Sequence, residues 1–334
     1  MLIEASICEY LREEIFPQIA PPPYGEIEIT TLKAQKPVCL FFERTKNIMV
    51  VGKMFKRGII PLEKAWFEAD KEYSNLKLLR ERLGMSGDTD NVVAPLGENK
   101  ELNALLVTER VPGQALDYYI SQAIFEQQHE ALFQALSHLA RFFAKLHKAG
   151  ETANPLSPDF PRFYLTSVLD SINLGPIVYL TKAEIEANAV HWWYEESVFT
   201  SDKETIVHGD ATPTNFLFNN GNVTAIDLER LKWADRCWDL GFMAAELKHH
   251  FMWRAGNGWA SEPFIGHFLW QYAVDYGNSG IFNVITRKLP LYMSLGLLRI
   301  ARNLYLDDTH RENLINEAKL CLKYGLQSLI ATAH

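Results

Sequence analysis

His208-Gly-Asp210-Ala-Thr-Pro-Thr-Asn215, followed by Phe216-Leu-Phe218, Asn219-Asn-Gly-Asn222, Val223-Thr-Ala-Ile226 and Asp227-Leu-Glu229, is the densest polar cluster in the chain. Two short apolar runs, Phe216–Phe218 and Val223–Ile226, flank a loop of Asn and Gly. Those residues accept positive φ, so the pattern predicts a β-hairpin. Pairing Phe218 with Val223 and counting outward puts Asn215 opposite Ile226, next to Asp227. Both polar groups then sit at the open mouth of the hairpin. Asp210 precedes it by a five-residue step bent at Pro213.

An Asn and an Asp side by side offer hard oxygen ligands, which suit Mg²⁺ and its phosphate partners. Asp210 can accept a proton from an attacking hydroxyl. The spacing H-x-D-x-x-x-x-N is that of the protein-kinase catalytic loop, with Gly209 where those kinases carry Arg. Turn and cap roles for Asp210, Asn215 and Asp227 are the bland alternative. They explain each residue singly, but not the loop, hairpin and second aspartate together. His208 reads as a structural residue, hydrogen-bonded within its loop. Glu229 reads either as a neighbour of the metal or as a solvated side chain.

The first third of the chain holds an independent clue. Ile27–Thr31, Val38–Phe42 and Ile48–Val51 are rich in β-formers and separated by short polar segments, which predicts a small antiparallel sheet. From Leu62 to Leu83, Ala65, Ala69, Glu72, Leu76, Leu79 and Leu83 recur at helical spacing. Glu72 therefore lies within an apolar stripe, and a carboxylate there needs a cationic partner. Lys53, at the end of the third β-run, is the preferred mate, with Lys56 as competitor. A strand lysine held by a helix glutamate is how kinases position the α- and β-phosphates of a nucleotide.

Downstream of Pro112-Gly113 the composition turns helical. Leu132, Leu136, Leu139, Phe143 and Leu146 form a second stripe, and Gly150 follows where a C-cap glycine belongs. The expected fold class is α+β, with a small β-rich N-terminal lobe and a larger, mainly helical C-terminal lobe. The expected division is residues 1–25 as an N-terminal helix and Pro-rich linker, 26–111 as the nucleotide-binding lobe, and 112–334 as the catalytic and substrate lobe.

Of the 334 residues, 48% are hydrophobic and 22% charged, an ordinary globular balance. The formal charge of −8, without a long basic run, argues against nucleic acid as a partner. No stretch approaches the roughly 18 apolar residues of a membrane span, and the first residues lack the pattern of a secretory signal. Cys8, Cys39, Cys237 and Cys321 form no C-x-x-C pair, so neither a zinc nor a redox signature is present. These features point to a cytoplasmic protein. His249-His250 has no H-E-x-x-H context and reads as a solvated helix end.

At these residues the chain resembles the aminoglycoside phosphotransferase and choline/ethanolamine kinase superfamily, from about Glu26 to Tyr305. The resemblance implies a protein-kinase-like fold and ATP- and Mg²⁺-dependent transfer of a phosphoryl group to a small-molecule hydroxyl. It implies Asp210 as catalytic base, Asn215 and Asp227 as magnesium ligands, and Lys53 with Glu72 on the nucleotide phosphates. Val107–Gly113 matches the interlobe hinge, with Thr108, Glu109 and Val111 against the adenine. Ala144-Lys-Leu-His147 and Trp238-Asp239-Leu-Gly241 match two further family segments, and Asp239 reads as an N-cap or loop brace. Two departures stand out. The segment Lys33–Pro37, where the nucleotide-covering loop falls, contains no glycine, and Asp227 is followed by Leu-Glu rather than Phe-Gly. The first departure motivates the alternative of a pseudokinase that binds nucleotide or a protein partner without transfer. A metal-dependent hydrolase using His208, Asp210 and Asp227 is the other rival.

Overall fold

The computed structural model describes residues 2–33, 37–87, 89–172, 178–278 and 280–332. The glycine-free segment between Lys33 and Pro37 therefore lies largely outside the described residues. The chain divides into two compact units. The first comprises residues 1–113 and 224–230, the second 114–223 and 231–334.

The first unit is built on a five-stranded antiparallel sheet. Its strands are β1 (Ile27–Lys33), β2 (Val38–Glu43), β3 (Ile48–Met54), β5 (Pro95–Asn99) and β6 (Leu105–Glu109), ordered β1-β2-β3-β6-β5. Short β4 (Asn91–Val92) lies outside this sheet. Successive strand residues point to opposite faces. On β3, Ile48 and Val50 are buried and Met49 is exposed. The buried face meets helix α1 (Leu2–Tyr10) and the helical turns that continue it to Gln18. Ile7, Leu11, Ile15 and Phe16 pack there with Phe41, Val50, Leu105 and Val107. The N-terminal helix, which the proline run sets apart in sequence, is thus the cover of the sheet rather than an appendage.

Lys53 takes the alternate position on β3, so its side chain leaves from the other face. Helix α2 (Leu62–Lys77) supplies its partner, burying Ala65, Ala69, Glu72 and Leu76 on one stripe. The segment 224–230 completes the unit. Thr224 and Ala225 pair in parallel with Asn91 and Val92 of β4, and Asn75 Nδ2 donates to the Leu228 carbonyl at 2.9 Å.

The second unit is mainly helical: α3 (Leu116–Phe125), α4 (His129–Ala149), α5 (Asp159–Ser171), α6 (Val178–Tyr194), α7 (Glu196–Thr200), α8 (Cys237–Ala255), α9 (Glu262–Tyr276), α10 (Gly280–Ala301) and α11 (Asp308–Thr332). The expected stripe on α4 is buried throughout. Gly150 ends that helix with φ −99°, not in the left-handed conformation of a glycine C-cap. Space selects glycine there, because a Cβ would sit 2.5 Å from Ile206 Cβ. Short strands knit the helices together. β7 (Gln114–Ala115) pairs with β9 (Phe216–Asn219), and β8 (Thr205–Val207) with β11 (Lys232–Ala234). β10 (Asn222–Ala225) follows β9 after a turn at Asn220 and Gly221, both with positive φ. Among the described residues no helix is long and apolar enough to cross a membrane.

Candidate active site

Lys53 stands among three carboxylates of the first unit. Its Nζ is 2.6 Å from Glu72 Oε2, 2.7 Å from Asp227 Oδ1 and 3.0 Å from Glu229 Oε2. Lys56 instead reaches the Gly58 carbonyl on the surface. The Glu72 side chain is 4% exposed, against 28% for Asp227 and 21% for Glu229. Glu72 therefore anchors the lysine from inside, while the other two carboxylates remain within reach of a ligand. Asp227 has φ +62°, a left-handed conformation that aspartate tolerates better than most residues.

Three carboxylates act together on the Lys53 amine. Burial opposes the charge on Lys53, but Glu72, Asp227 and Glu229 outweigh it and hold the amine above its ordinary pKa. Burial raises the Glu72 pKa, with Lys53 opposing and Asp227 adding. The lysine's shift sets the sense of the cluster, because its three carboxylate acceptors outweigh the burial of its amine. Glu72, Asp227 and Glu229 are also the one group of metal-capable side chains among the described residues, their oxygens lying within 4.8 Å of one another. Carboxylate oxygens gathered in this way are hard ligands, which fit a divalent cation. A cavity of about 520 Å³ in the same unit adjoins Lys53 and Glu229, and its wall carries Arg57, Lys64, Lys71 and Arg230.

Of the residues expected to line the adenine, Thr108 and Glu109 lie at the end of β6. Thr108 pairs with Val51, which puts it on the Lys53 face of the sheet, and Glu109 pairs with Val50. Glu109 is tied to Ala94 twice, its N–H donating to the Ala94 carbonyl at 3.0 Å and its Oε1 accepting from the Ala94 N–H at 2.8 Å. Val111 follows the strand in half-buried, irregular chain.

In the second unit, the loop carrying Asp210 is fixed by Asp239. This buried carboxylate accepts from the backbone N–H of His208 at 2.7 Å and of Gly209 at 3.0 Å. It also lies 3.2 Å from His147 Nε2, while His147 Nδ1 lies 3.0 Å from the Tyr272 hydroxyl. A carboxylate only accepts, so the imidazole proton is on Nε2. Asp239 falls within the first turn of α8, whose N-cap is Arg236, so it braces the loop and does not cap the helix. Gly209 has φ +80°. An arginine in its place would be strained, which accounts for this departure from the kinase sequence pattern. His208 is buried and its Nδ1 accepts from the Asp210 N–H at 3.3 Å. Asn215 Nδ2 donates to the Asp210 carbonyl at 3.0 Å, so Asp210 and Asn215 belong to one hydrogen-bonded loop.

Two neighbours of Asp210 escaped the sequence reading. Arg299, on α10, forms an ion pair with Asp210 Oδ1. Glu246, on α8, lies close enough to sense both: burial raises its pKa to about 7, with Arg299 opposing and Asp210 and Asp117 adding. Each is a charged residue inside an apolar helical run, Leu297-Leu-Arg299-Ile and Ala244-Ala-Glu246-Leu. The reasoning that singled out Glu72 applies equally to them.

A cavity of about 370 Å³ in this unit is lined by Glu246, Arg299, Trp253, Arg302 and Tyr305, among others. His249 and His250 also line it, which corrects their reading as a solvated helix end. Both are buried in α8. His249 Nδ1 lies 2.9 Å from His310 Nε2. Burial lowers the pKa values of His249 and His250 to about 3, so these two rings are neutral near pH 7.

The profile of the phosphotransferase enzyme family (APH) matches residues 68–276, more than half of the chain, and the chain belongs to this family. Solved structures share its protein-kinase-like fold. The ternary complex of APH(2'')-IIa with streptomycin and ATP aligns with a TM-score of 0.58 at 14% identity, covering 96% of this chain and 98% of the other. Ethanolamine kinase of Plasmodium vivax aligns with a TM-score of 0.57 at 12% identity, covering 96% and 88%. Amicoumacin kinase hAmiN, in complex with AMP-PNP, Ca²⁺ and Ami, aligns with a TM-score of 0.55 at 14% identity, covering 96% and 93%. No curated protein matches this chain in sequence. The family is one of phosphotransferase enzymes.

Proposed function

We propose that the protein transfers the γ-phosphoryl group of ATP to a hydroxyl of a small molecule, with Asp210 as catalytic base. The observation that carries this reading is Lys53 held at once by Glu72, Asp227 and Glu229. A cation fixed in this way is oriented for nucleotide phosphates, and the basic wall beside it complements their charge. Thr108, Glu109 and Val111 would line the adenine site. Asp227 and Asn215 would hold Mg²⁺, with Glu229 as a further carboxylate. Bound there, the ion supplies neutralisation of charge on the phosphate oxygens.

Asp210 accepts the proton of the acceptor hydroxyl as its oxygen bonds to the γ-phosphorus. The bond to the β–γ bridging oxygen breaks, ADP leaves, and the proton passes from Asp210 to solvent. Arg299 orients the Asp210 carboxylate, and Asp239 holds the loop that carries it. Positioning supplies most of the rate enhancement. Four free cysteines and the need for ATP fit a reducing, cytoplasmic setting.

The test is Asp210→Asn. Turnover should fall by about 100-fold or more, while MgATP still raises the unfolding midpoint as in the parent. Full activity in the variant would remove Asp210 from the mechanism.

A further inference from the structure

The charges around the cavity beside Asp210 are unequally satisfied. Arg254 Nη2 lies 2.6 Å from Asp117 Oδ1, and Arg299 is paired with Asp210. Arg302, half-buried on the same wall, has no ion pair or hydrogen bond among the described residues. On the acidic side Asp117 and Asp210 are already engaged by arginines. Glu246 remains, and its burial works against a negative charge. The histidines of α8 are neutral. Once pairs are removed, the wall presents one guanidinium and no settled anion.

We infer that the acceptor is a hydroxylated molecule bearing a carboxylate, which Arg302 binds while the hydroxyl faces Asp210. The inference deepens the phosphotransferase reading and rests on it. A guanidinium offers two parallel N–H groups that match the two oxygens of a carboxylate. An amine would need an unengaged carboxylate, and only the half-neutral Glu246 is available. Size points the same way. A cavity of about 370 Å³ is near the lower end of ligand pockets, roughly 300–1,000 Å³, and suits a molecule of monosaccharide size rather than several linked rings. Trp253 and Tyr305, 43% and 70% exposed, offer apolar faces for its carbon skeleton.

Arg302 also follows the C-terminus of α10, where a cation is favourable to the helix without any ligand. The experiment separates these roles. Calorimetric binding to the full chain is measured for three- to six-carbon hydroxylated compounds, each as neutral, amine, carboxylate and phosphate-ester forms. The tightest binder should be a carboxylate. Arg302→Gln should weaken it by about tenfold or more, with Arg302→Lys intermediate and the neutral analogue unchanged. The inference is overturned if an amine, phosphate ester or neutral compound binds best, if none binds, or if Arg302→Gln leaves carboxylate affinity unchanged. ADP release with MgATP is read separately. An acid that binds through Arg302 without ADP release would keep this inference and reject phosphoryl transfer.

Discussion

Lys53 illustrates how far a single residue's environment governs what it can do. Removing it leaves Glu72 buried without its cation beside two further carboxylates. Lys53→Met should therefore lower the free energy of unfolding by about 3 kcal/mol, the lower end for a broken buried pair because one side of the cluster is open. Urea titration checks this, and MgATP should no longer raise the midpoint. An unchanged urea midpoint would mean that Glu72 is satisfied elsewhere. Glu246 gives a pH signature of the opposite kind. Its folded pKa, about 7, is raised above the unfolded value by burial. The native state thus holds this proton more tightly, so its contribution is full below about pH 4.5 and is lost as pH rises toward 7. Glu246→Gln should flatten that fall: the variant should gain on the parent between pH 5 and 8 and match it at pH 4. A parallel pair of stability curves would count against the shift.

Helices α8 and α10 set the geometry in which Glu246 and Arg299 meet. They approach closely at two glycines: a Cβ on Gly241 would lie 2.5 Å from Tyr292 Cβ, and one on Gly296 would lie 2.6 Å from Ala245 Cβ. Gly296→Ala should cost about 1–3 kcal/mol, as overpacking does. Because it separates the helices bearing Glu246 and Arg299, kcat should fall while the KM for ATP changes little. Gly266, inside α9, is the contrasting case, with nothing within 4 Å of a Cβ. Gly266→Ala should stabilise the protein by about 0.5–1 kcal/mol through helix propensity alone. Thermal unfolding of both variants tests the distinction, and equal signs would defeat it.

At the scale of the whole molecule, the chain crosses from the first unit to the second, returns for residues 224–230, and leaves again. The returning segment brings Asp227 and Glu229 to Lys53 and supplies the partner strand of β4. A fragment of residues 1–113 should therefore fold poorly and fail to bind MgATP, as circular dichroism and midpoint shifts would show. A folded fragment with full nucleotide affinity would sink this expectation. The same path marks what was legible in the amino-acid sequence. Helical and strand periodicity are local, so the sheet, α2 and α4 could be read directly. Glu72 announced a cationic partner because a carboxylate in an apolar stripe is costly to bury unpaired. The loop and hairpin from His208 to Asp227 were legible because turn chemistry is local too. Gly209 and the buried His249 and His250 needed tertiary structure, since backbone angle and burial depend on what packs alongside. So did the pairing of Arg299 with Asp210 across 89 positions, the meeting of Glu229 with Lys53, and the docking of the N-terminal helix on the sheet. Periodicity shows that a buried charge requires a partner, but only the folded path of the chain selects which distant residue provides it.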